Sequence, residues 1–315
     1  MDVLVLNRAE IEALLDPGEL LVALRGGFAA LTSGDVTAPG RNELAMPDEA
    51  FLLGMPGRRR DGAMTVKVVT VFESNLKRDI PSHLATIGLY DPHSGACRAF
   101  MDGTYITAIR TSAAAAVACD VLARPDARVL ALIGGGVQGE HHLQTFPLVR
   151  EFDEIRVSSL YLEDAERVAA LHPNARAVER AEEAVRGADV VALASHAAQP
   201  VIEPDWIAAG THVSSVGYRP PDGEFPRDLL PRARLFVETY EAFEPTPVGC
   251  SELDRVSRDT ATEVGAVILG RAPGRTSPDE ITVYKAMGHV VEDIVAAELV
   301  YAEAIRSTAG ITIAL

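Results

Sequence analysis

Three glycines follow a short apolar run near the middle of the chain and have the spacing of a phosphate-binding turn. Residues 129–133 are apolar, and Gly134, Gly136 and Gly139 follow in a G-x-G-x-x-G pattern that leads into helix-forming residues. In such a pattern the first glycine makes a tight turn, the second lets a pyrophosphate approach the backbone, and the third allows close packing of helix on strand. The N–H groups at the start of the helix favour an anion. The pattern predicts a dinucleotide site, and the alternative is a glycine-rich turn in another α/β fold.

The residues after the next predicted strand bear on the choice between NAD and NADP. About 20 residues beyond the glycines, an acid usually binds the ribose 2′-hydroxyl of NAD, whereas an arginine nearby accommodates the 2′-phosphate of NADP. This chain has Ser159 and Leu160 there. The missing carboxylate removes a repulsion towards NADP without adding an attraction. We therefore expect NAD(P) with a slight lean to NADP.

Two cations lie in apolar surroundings. Lys67 belongs to an alternating run, residues 65–72, with apolar residues on both faces, so the strand is expected to be covered on both sides and its lysine to need an anionic partner or a polar cavity. The alternative is an edge strand whose lysine extends to water. Arg110 is the only charged residue within positions 103–119, an alanine-rich helix. Together with the loop residue Arg41, these residues predict a cluster that holds a small carboxylate near the nicotinamide.

The elements around these residues follow two patterns. Up to about residue 102, a helical stretch is followed by consecutive strand-like runs, which predict an antiparallel sheet. After a helix that ends near residue 122, strands and helices alternate, as is typical of a doubly wound parallel sheet. A periodic helix over about 284–306 closes the chain and could pack on either half. The predicted fold class is α/β, a Rossmann doubly wound parallel sheet plus an α+β domain.

Composition and charge exclude several classes of protein. A hydrophobic content of 48% excludes general disorder, and a formal net charge of −16 argues against a nucleic-acid partner. The three cysteines, Cys97, Cys119 and Cys250, have neither a metal-binding nor a disulfide spacing, so no metal site is predicted. The first residues lack the cation of a signal peptide, and the apolar stretches are interrupted before the length of a membrane span. We expect a soluble, cytoplasmic protein without a membrane partner.

Seven segments in the same order resemble the ornithine cyclodeaminase/mu-crystallin family over nearly the whole chain. They are residues 39–41 (PGR), 66–72 (VKVVTVF), 83–87 (HLATI), 101–111 (MDGTYITAIRT), 134–138 (GGGVQ), 210–217 (GTHVSSVG) and 280–288 (EITVYKAMG). The resemblance implies a substrate-binding and dimerisation domain, residues 1–122 joined by the C-terminal helix 290–315, and a Rossmann domain, residues 123–289. It also implies a homodimer and an NAD(P)-dependent enzyme.

The resemblance assigns roles to individual residues. Arg41, Lys67 and Arg110 match positions that hold the substrate carboxylate, and Lys67 also lies near the reacting carbon. Further positions match residues that line the coenzyme, and in this chain they are Thr86, Arg110, Gly134, Gly136, Val137, Gln138, Gly139, Ser159, Ser195 and Gly217.

Two residues depart from the family pattern. Arg219 stands where cyclodeaminases have an aspartate that engages the distal amine of the substrate, and Asp222 could replace that aspartate only after a loop shift. A cation there repels a second ammonium by about 1 to 4 kcal/mol at about 4 Å. His289 follows Gly288, where the family usually has an apolar residue. It is interpreted either as a proton donor near the nicotinamide or as a polar helix residue with a satisfied hydrogen bond.

Three functions follow as hypotheses. The leading one is an NAD(P)H-dependent imine reductase or amino-acid dehydrogenase that exchanges hydride with the α-carbon of a 2-imino or amino acid. The second is a cyclodeaminase of ornithine or lysine. The third is a non-catalytic, NADP-binding protein of the crystallin type, against which the intact set of Arg41, Lys67 and Arg110 argues. The sequence does not predict the side chain of the substrate.

Overall fold

The structure, a computed structural model, describes residues 2–47, 50–78 and 80–315. The chain divides into two compact units, Met1–Arg110 with His289–Leu315, and Thr111–Gly288. The predicted boundaries at 122/123 and 289/290 differ from these, because the first unit ends inside the long helix of residues 103–122.

The described residues form sixteen strands and eight α-helices. The strands are β1 (Asp2–Leu6), β2 (Val36–Thr37), β3 (Asn42–Ala45), β4 (Phe51–Arg59), β5 (Met64–Val71), β6 (His83–Tyr90), β7 (Cys97–Asp102), β8 (Val129–Ile133), β9 (Glu154–Ser158), β10 (Ala175–Ala177), β11 (Val190–Leu193), β12 (His212–Ser215), β13 (Ala233–Val237), β14 (Ala261–Glu263), β15 (Ile281–Lys285) and β16 (Ile311–Ala314). The helices are α1 (Arg8–Leu14), α2 (Pro17–Thr32), α3 (Gly103–Leu122), α4 (Val137–Thr145), α5 (Leu162–Ala169), α6 (Ala181–Val185), α7 (Val264–Ile268) and α8 (Val290–Ser307).

The sheet of the first unit runs in the order β16-β1-β7-β6-β5-β4-β2, with β3 paired to β4. Its pairs are antiparallel except for β1 and β7, which are parallel. The predicted antiparallel sheet is therefore correct for the strands that follow each other directly. That prediction did not include β1, which two helices and several strands separate from β7 in sequence; so long a connection allows their parallel pairing.

Helix α8 covers one face of this sheet. Leu53, Met55, Val69 and Ala85 pack with Val290 and Ile294 in one buried cluster. On the opposite face, the described side chains of β5 are half-buried or exposed. The expectation that β5 is covered on both sides is therefore wrong here.

Side chains at this opposite face are apolar and exposed. Val66 is 36% exposed, Leu84 39% and Phe100 45%. Val66 pairs with Gly88, and Gly88 pairs with Phe100, so these positions form one row across three strands. We call this surface the open sheet face.

The sheet of the second unit is parallel throughout and runs in the order β10-β9-β8-β11-β12-β15-β13-β14. The strand order reverses between β8 and β11, which is the point where doubly wound sheets bind their ligands. The predicted α/β class with a Rossmann sheet is confirmed.

The closing helix begins later than predicted. Residues 281–285 form the buried strand β15 between β12 and β13, and α8 begins at Val290 instead of near residue 284. A buried segment as short as residues 281–285 (ITVYK) fits a strand as well as the start of a buried helix, so periodicity alone cannot separate the two.

Among the described residues, one helix is long and apolar enough to cross a membrane by length and composition. It is α3, and 78% of its most apolar window is buried inside the protein. Arg110 interrupts its apolar stretch, as expected, and its burial is that of a core element.

Candidate active site

Lys67 lies on a central strand, so the edge-strand alternative does not apply. β5 pairs with β4 on one side and with β6 on the other. The Lys67 side chain is 1% exposed, and its Nζ lies 2.8 Å from Oδ2 of Asp293 on α8. The anionic partner that the sequence requires for this lysine is therefore an internal carboxylate.

Arg110 binds the same helix. Its Nη1 donates to Oε2 of Glu292 at 2.6 Å, and its Nε donates to Oδ1 of Asp293 at 3.2 Å. Arg110 is 5% exposed, and both carboxylates are fully buried. Asp293 thus lies between the ammonium of Lys67 and the guanidinium of Arg110.

His289 caps the helix that carries these carboxylates. Its Nδ1 accepts a hydrogen bond from the backbone N–H of Val291 at 3.1 Å, and its own backbone N–H donates to Oε1 of Glu292 at 2.9 Å. Because Nδ1 accepts, the ring proton is on Nε2. Burial lowers the pKa of His289 to about 4, so the ring is neutral at pH 7. This geometry matches the second interpretation, a polar helix residue with a satisfied hydrogen bond.

Electrostatic interactions connect the four predicted catalytic residues through Arg110, which acts on both Lys67 and His289. The charges of Arg41 and Arg110 both lower the pKa of His289, while Glu292 and Asp293 oppose them. Lys67 and Arg110 thus face two carboxylates in one buried cluster, and the half-buried Arg41 acts on His289 through its charge. A small carboxylate ligand is a chemically suitable addition to such a cluster.

The pKa of Lys67 is lowered to about 8. Burial is the main cause, and the positive charge of Arg110 adds to it, whereas Asp293 and Glu292 act in the opposite direction. The ammonium form still predominates at pH 7, but it can lose its proton far more easily than an exposed lysine. A lysine in this range is suited to transferring a proton.

In the second unit, two of the three fingerprint glycines are required by the protein's own packing. Gly134 has φ +148°, and a Cβ there would overlap the carbonyl oxygen of Ala194. A Cβ at Gly139 would overlap the carbonyl oxygen of Gly134. These contacts bring the strand, the turn and the start of α4 close together, as the fingerprint requires.

Gly136 is different, because a Cβ there would meet no atom within 4 Å. It directly precedes Val137, the first residue of α4, so the open space adjoins a helix start, whose first N–H groups have no acceptor within the helix. In addition, the side-chain oxygen of Gln138 is buried without a hydrogen-bond partner. An open backbone cradle at a helix N-terminus beside an unsatisfied polar atom fits the pyrophosphate of a dinucleotide.

The surroundings of Ser159 contain one arginine. Ser159 follows β9, and a Cβ at Gly135 would lie 2.6 Å from its Oγ. Arg167 on α5 donates to the carbonyl oxygen of Gly135 at 2.5 Å and also binds Glu140 and Asp164. Sequence reasoning did not single out Arg167.

Ser195 and Gly217 follow the neighbouring strands β11 and β12, and one buried carboxylate binds both. Oε2 of Glu224 accepts from the backbone N–H and the hydroxyl of Ser195, both at 2.7 Å, and its Oε1 accepts from the N–H of Gly217 at 2.7 Å. The two predicted coenzyme residues are therefore held together by a third residue.

Thr86 lies apart from the Lys67 cluster. It pairs with Val68 on β5, one residue beyond Lys67, so its side chain lies on the open sheet face and is exposed. The structure thus separates Thr86 from the other predicted residues of the first unit.

Sequence reasoning missed the carboxylates. Glu292 and Asp293 are adjacent acids inside the apolar run VVEDIVAA, and Glu292 stands three residues after His289, the spacing of a capping box. That signal went unused because the helix was predicted to begin before His289. Glu224 carries no comparable signal, since it lies in an irregular segment.

Among the described residues, no group of three or more His, Cys, Asp or Glu side chains could hold a metal ion.

Comparisons with known proteins agree with this arrangement. A family model described as the ornithine cyclodeaminase/mu-crystallin family matches residues 1–308. Ketimine reductase mu-crystallin of Mus musculus is 34% identical over 306 residues, which cover 94% of this chain and 96% of the mouse protein.

Two solved structures share the fold over nearly the full length. Delta(1)-pyrroline-2-carboxylate reductase of Thermococcus litoralis, in complex with NADH and L-proline, has a TM-score of 0.92 and 31% identity, and the match covers 99% of this chain and 100% of the other. An archaeal alanine dehydrogenase dimer with bound NAD has a TM-score of 0.93 and 26% identity, and the match covers 100% of both chains.

Proposed function

The chain belongs to the ornithine cyclodeaminase/mu-crystallin family, and on that premise we propose that it is an NAD(P)-dependent oxidoreductase that acts on carbon–nitrogen bonds. Its substrate class is a 2-imino acid, reduced to the amino acid, or the amino acid in the reverse direction. The observation that carries this proposal is the buried cluster in which Lys67 and Arg110 share Asp293. Burying so many charges costs stability, and a purely structural core would use apolar side chains instead.

Arg41 and Arg110 are proposed to hold the substrate carboxylate. A guanidinium offers five N–H donors in a planar fork, and two nitrogens of Arg110 are engaged by Glu292 and Asp293. These two carboxylates fix the plane of the guanidinium, so little side-chain entropy is lost when a ligand binds. Arg41 supplies the second cation, and its field reaches the same cluster.

Lys67 is proposed to move the proton. When bound, the coenzyme supplies or accepts the hydride at the α-carbon of the substrate. Reduction of a C=N bond also requires one proton at nitrogen, and Nζ of Lys67 can donate it because burial and Arg110 weaken its hold on that proton. Asp293, at 2.8 Å, keeps the lysine side chain extended and favours its protonated form between turnovers.

The coenzyme is proposed to bind on the glycine turn, with its pyrophosphate over Gly136 and the first turn of α4. The lean to NADP rests on the absence of an acid at Ser159. Arg167 is the candidate partner for a 2′-phosphate, but it would have to exchange Glu140 or Asp164 for it. Comparing the KM values of NADPH and NADH in the wild type and in Arg167→Ala tests this choice. If the enzyme uses NADP, Arg167→Ala is expected to raise the KM of NADPH and to leave the KM of NADH unchanged.

The reductase is favoured over a cyclodeaminase by one residue. The matching position for the aspartate that binds the distal amine is Arg219, and the side chain of Asp222 is exposed in this structure. A second ammonium on ornithine or lysine would meet a cation there.

A substrate screen tests the proposal. Cyclic imines such as pyrroline- and piperideine-2-carboxylate, and 2-keto acids with amines, are offered with NADH and NADPH separately. Oxidation of the coenzyme is the expected result. Ammonia released from ornithine or lysine without net NADH would establish the cyclodeaminase instead, and tight NADPH binding without turnover of any substrate would establish the non-catalytic protein.

We also propose that the chain forms a homodimer through the open sheet face. A row of exposed apolar side chains on a regular sheet, such as Val66 and Phe100, is a surface that a second copy can cover. The similar alanine dehydrogenase is a dimer. Light scattering of the wild type is expected to give twice the chain mass, and Phe100→Glu is expected to give a monomer. A wild-type monomer would contradict this assembly.

The cytoplasmic location is retained as part of the proposal. Cys97, Cys119 and Cys250 are all free thiols, which suits a reducing compartment.

A further inference from the structure

Glu224 binds four donors at or just beyond the ends of the neighbouring strands β11 and β12, and we call this set of contacts the clamp. Its Oε2 accepts from the N–H and hydroxyl of Ser195, and its Oε1 accepts from the hydroxyl of Ser215 at 2.9 Å and from the N–H of Gly217. The side chain is fully buried. Every partner donates, as an ionised carboxylate requires.

The position of this clamp is at the edge of the sheet where ligands bind. Ser195 follows β11 and Gly217 follows β12, which are adjacent parallel strands, so both lie at the carboxyl edge. Ala194 touches the glycine turn, because a Cβ at Gly134 would overlap its carbonyl oxygen. The clamp therefore lies beside the reversal point between β8 and β11.

The buried ammonium of Lys285 also binds two residues of the clamp. Nζ of Lys285 donates to the hydroxyl of Ser215 at 3.0 Å and to the carbonyl oxygen of Gly217 at 2.7 Å, and it lies 2.7 Å from Glu252. Burial by itself lowers the pKa of Lys285, but the carboxylates of Glu252 and Glu224 outweigh it and leave the pKa raised. Lys285 therefore stays charged and binds Ser215 and Gly217, two of the three residues that Glu224 binds.

The two halves of a doubly wound sheet bind the two halves of a dinucleotide. The half with β8, β9 and β10 contains the glycine turn and the ribose position after β9, so the other half, with β11 and β12, is left for the second nucleoside. That nucleoside carries the nicotinamide. The loops that Glu224 clamps are thus on the nicotinamide side.

We propose that Glu224 is a positioning residue for the nicotinamide half of the coenzyme, acting through Ser195 and Gly217. This inference rests on the proposed dinucleotide-binding function. Without the carboxylate, four donors would lose their acceptor, and the two loops would no longer be held at a fixed separation.

The test compares two ligands and two variants. Glu224→Gln keeps the size of the side chain but replaces one carboxylate oxygen by an NH₂ group, so the two donors that this oxygen binds lose their acceptor. Asp189→Asn is the matched control, because Asp189 also accepts from two backbone N–H groups, those of Arg128 and Val129, at the opposite edge of the same sheet. The ligands are NADH, or NADPH if the wild type prefers it, and ADP-ribose, which lacks the nicotinamide. Dissociation constants are measured by fluorescence for the reduced coenzyme and by calorimetry for ADP-ribose.

Glu224→Gln is expected to weaken binding of the reduced coenzyme by roughly 5- to 100-fold, the effect of leaving buried donors unsatisfied. Binding of ADP-ribose is expected to change less than about twofold, since its contacts are on the glycine-turn side. Asp189→Asn is expected to lower thermal stability without changing either dissociation constant. This separation between ligands is a result that general destabilisation does not produce.

Two results overturn the inference: unchanged affinity for the reduced coenzyme in Glu224→Gln, or equal losses for both ligands. If Glu224→Gln does not fold, Ser215→Ala replaces it, because that variant removes one of the four donors and one contact of Lys285. It is then expected to show the same selectivity with a smaller loss. A wild type that binds neither ligand contradicts the proposed function itself and is thereby distinguished from a failure of this inference.

Discussion

At the scale of single residues, Lys67 and Asp293 can be buried only because each neutralises the charge of the other. The effective penalty for burying an ion is several kcal/mol, and only a well-placed partner of opposite charge offsets it. Asp293 is such a partner for Lys67 and for Arg110 at once. Either charge alone at this depth would be strongly destabilising, so the three side chains form one unit.

Replacing Lys67 by Met is expected to remove turnover and leave coenzyme affinity unchanged. Methionine keeps the apolar stem and loses the proton donor, and loss of such a group lowers kcat by about 10²- to 10⁴-fold. Steady-state kinetics and coenzyme titration measure the two quantities separately, with Lys67→Arg as the variant that keeps the charge. Undiminished kcat in Lys67→Met would remove this residue from the mechanism.

The lowered pKa of Lys67 predicts a pH dependence in the reductive direction. Only the ammonium form can donate, so kcat/KM is expected to fall as the pH rises through about 8, well below the ordinary value of 10.5. The groups that set this value are Arg110, Asp293 and Glu292. In Lys67→Arg the fall is expected to disappear, because a guanidinium stays protonated. A pH profile that is the same in both enzymes would show that another group titrates.

At the scale of elements, the starts of two helices position the buried carboxylates and the proposed phosphate-binding N–H groups. The first turn of α8 carries Glu292 and Asp293, where the positive end of the helix dipole favours acids. The start of α4 is aimed at the proposed pyrophosphate. The same physical property, unsatisfied N–H groups at a helix start, thus serves internal carboxylates in one unit and a ligand in the other.

Gly136→Ala tests the second of these helix starts. The protein has room for a methyl group at Gly136, so the melting temperature is expected to stay unchanged, while coenzyme affinity is expected to fall at least about tenfold because the methyl group fills the space for the pyrophosphate. Gly26→Ala is the matched control, because it also adds a methyl group into open space, but on α2. Unchanged affinity in Gly136→Ala would exclude this cradle as the phosphate site.

Substitution of His289 distinguishes its two interpretations. His289→Ala is expected to lose about 1 kcal/mol of unfolding free energy through the missing cap, whereas His289→Asn is expected to keep it, because asparagine is a good N-cap residue. Denaturant unfolding measures this difference. The turnover of His289→Asn is expected to match the wild type, and a large fall in kcat at full stability would instead identify the proton donor.

The sequence could predict the features that depend on residues close together in the chain, but not those that depend on contacts between distant residues. The G-x-G-x-x-G turn is local. So are the N-cap spacings of Asn7 with Glu10 and of Asp16 with Glu19, which predict helix starts where α1 and α2 begin in the structure. The partners of Lys67 and Arg110 are not local, because Glu292 lies 182 residues beyond Arg110. Glu224 was equally unpredictable, since its donors come from loops whose proximity exists only in the folded sheet.

At the scale of the whole molecule, three buried histidines predict sensitivity to mild acid. Burial lowers the pKa of His142 to about 4, of His212 to about 3 and of His289 to about 4. Between these values and about 6.5, the unfolded chain binds protons that the folded chain does not, so stability falls as the pH decreases through this range.

The free energy of unfolding is therefore expected to decrease by several kcal/mol from pH 7.5 towards pH 5, before most carboxylates titrate. Urea unfolding at several pH values measures it. His142→Gln is expected to have a shallower slope, whereas His93→Gln, at an exposed position, is expected to keep the wild-type slope. Stability that is constant or rises on acidification would contradict the assignment of neutral buried rings.

The discontinuous first unit has a consequence for biosynthesis. Lys67 and Arg110 leave the ribosome early, but Glu292 and Asp293 are translated only after all of residues 111–288. At ordinary elongation rates this delay is on the order of ten to forty seconds. During that time the nascent chain contains two cations whose counter-ions do not yet exist, so the first unit cannot close around them. Residues 111–288 can complete their sheet meanwhile, so the ion cluster forms only after the second unit has been synthesised.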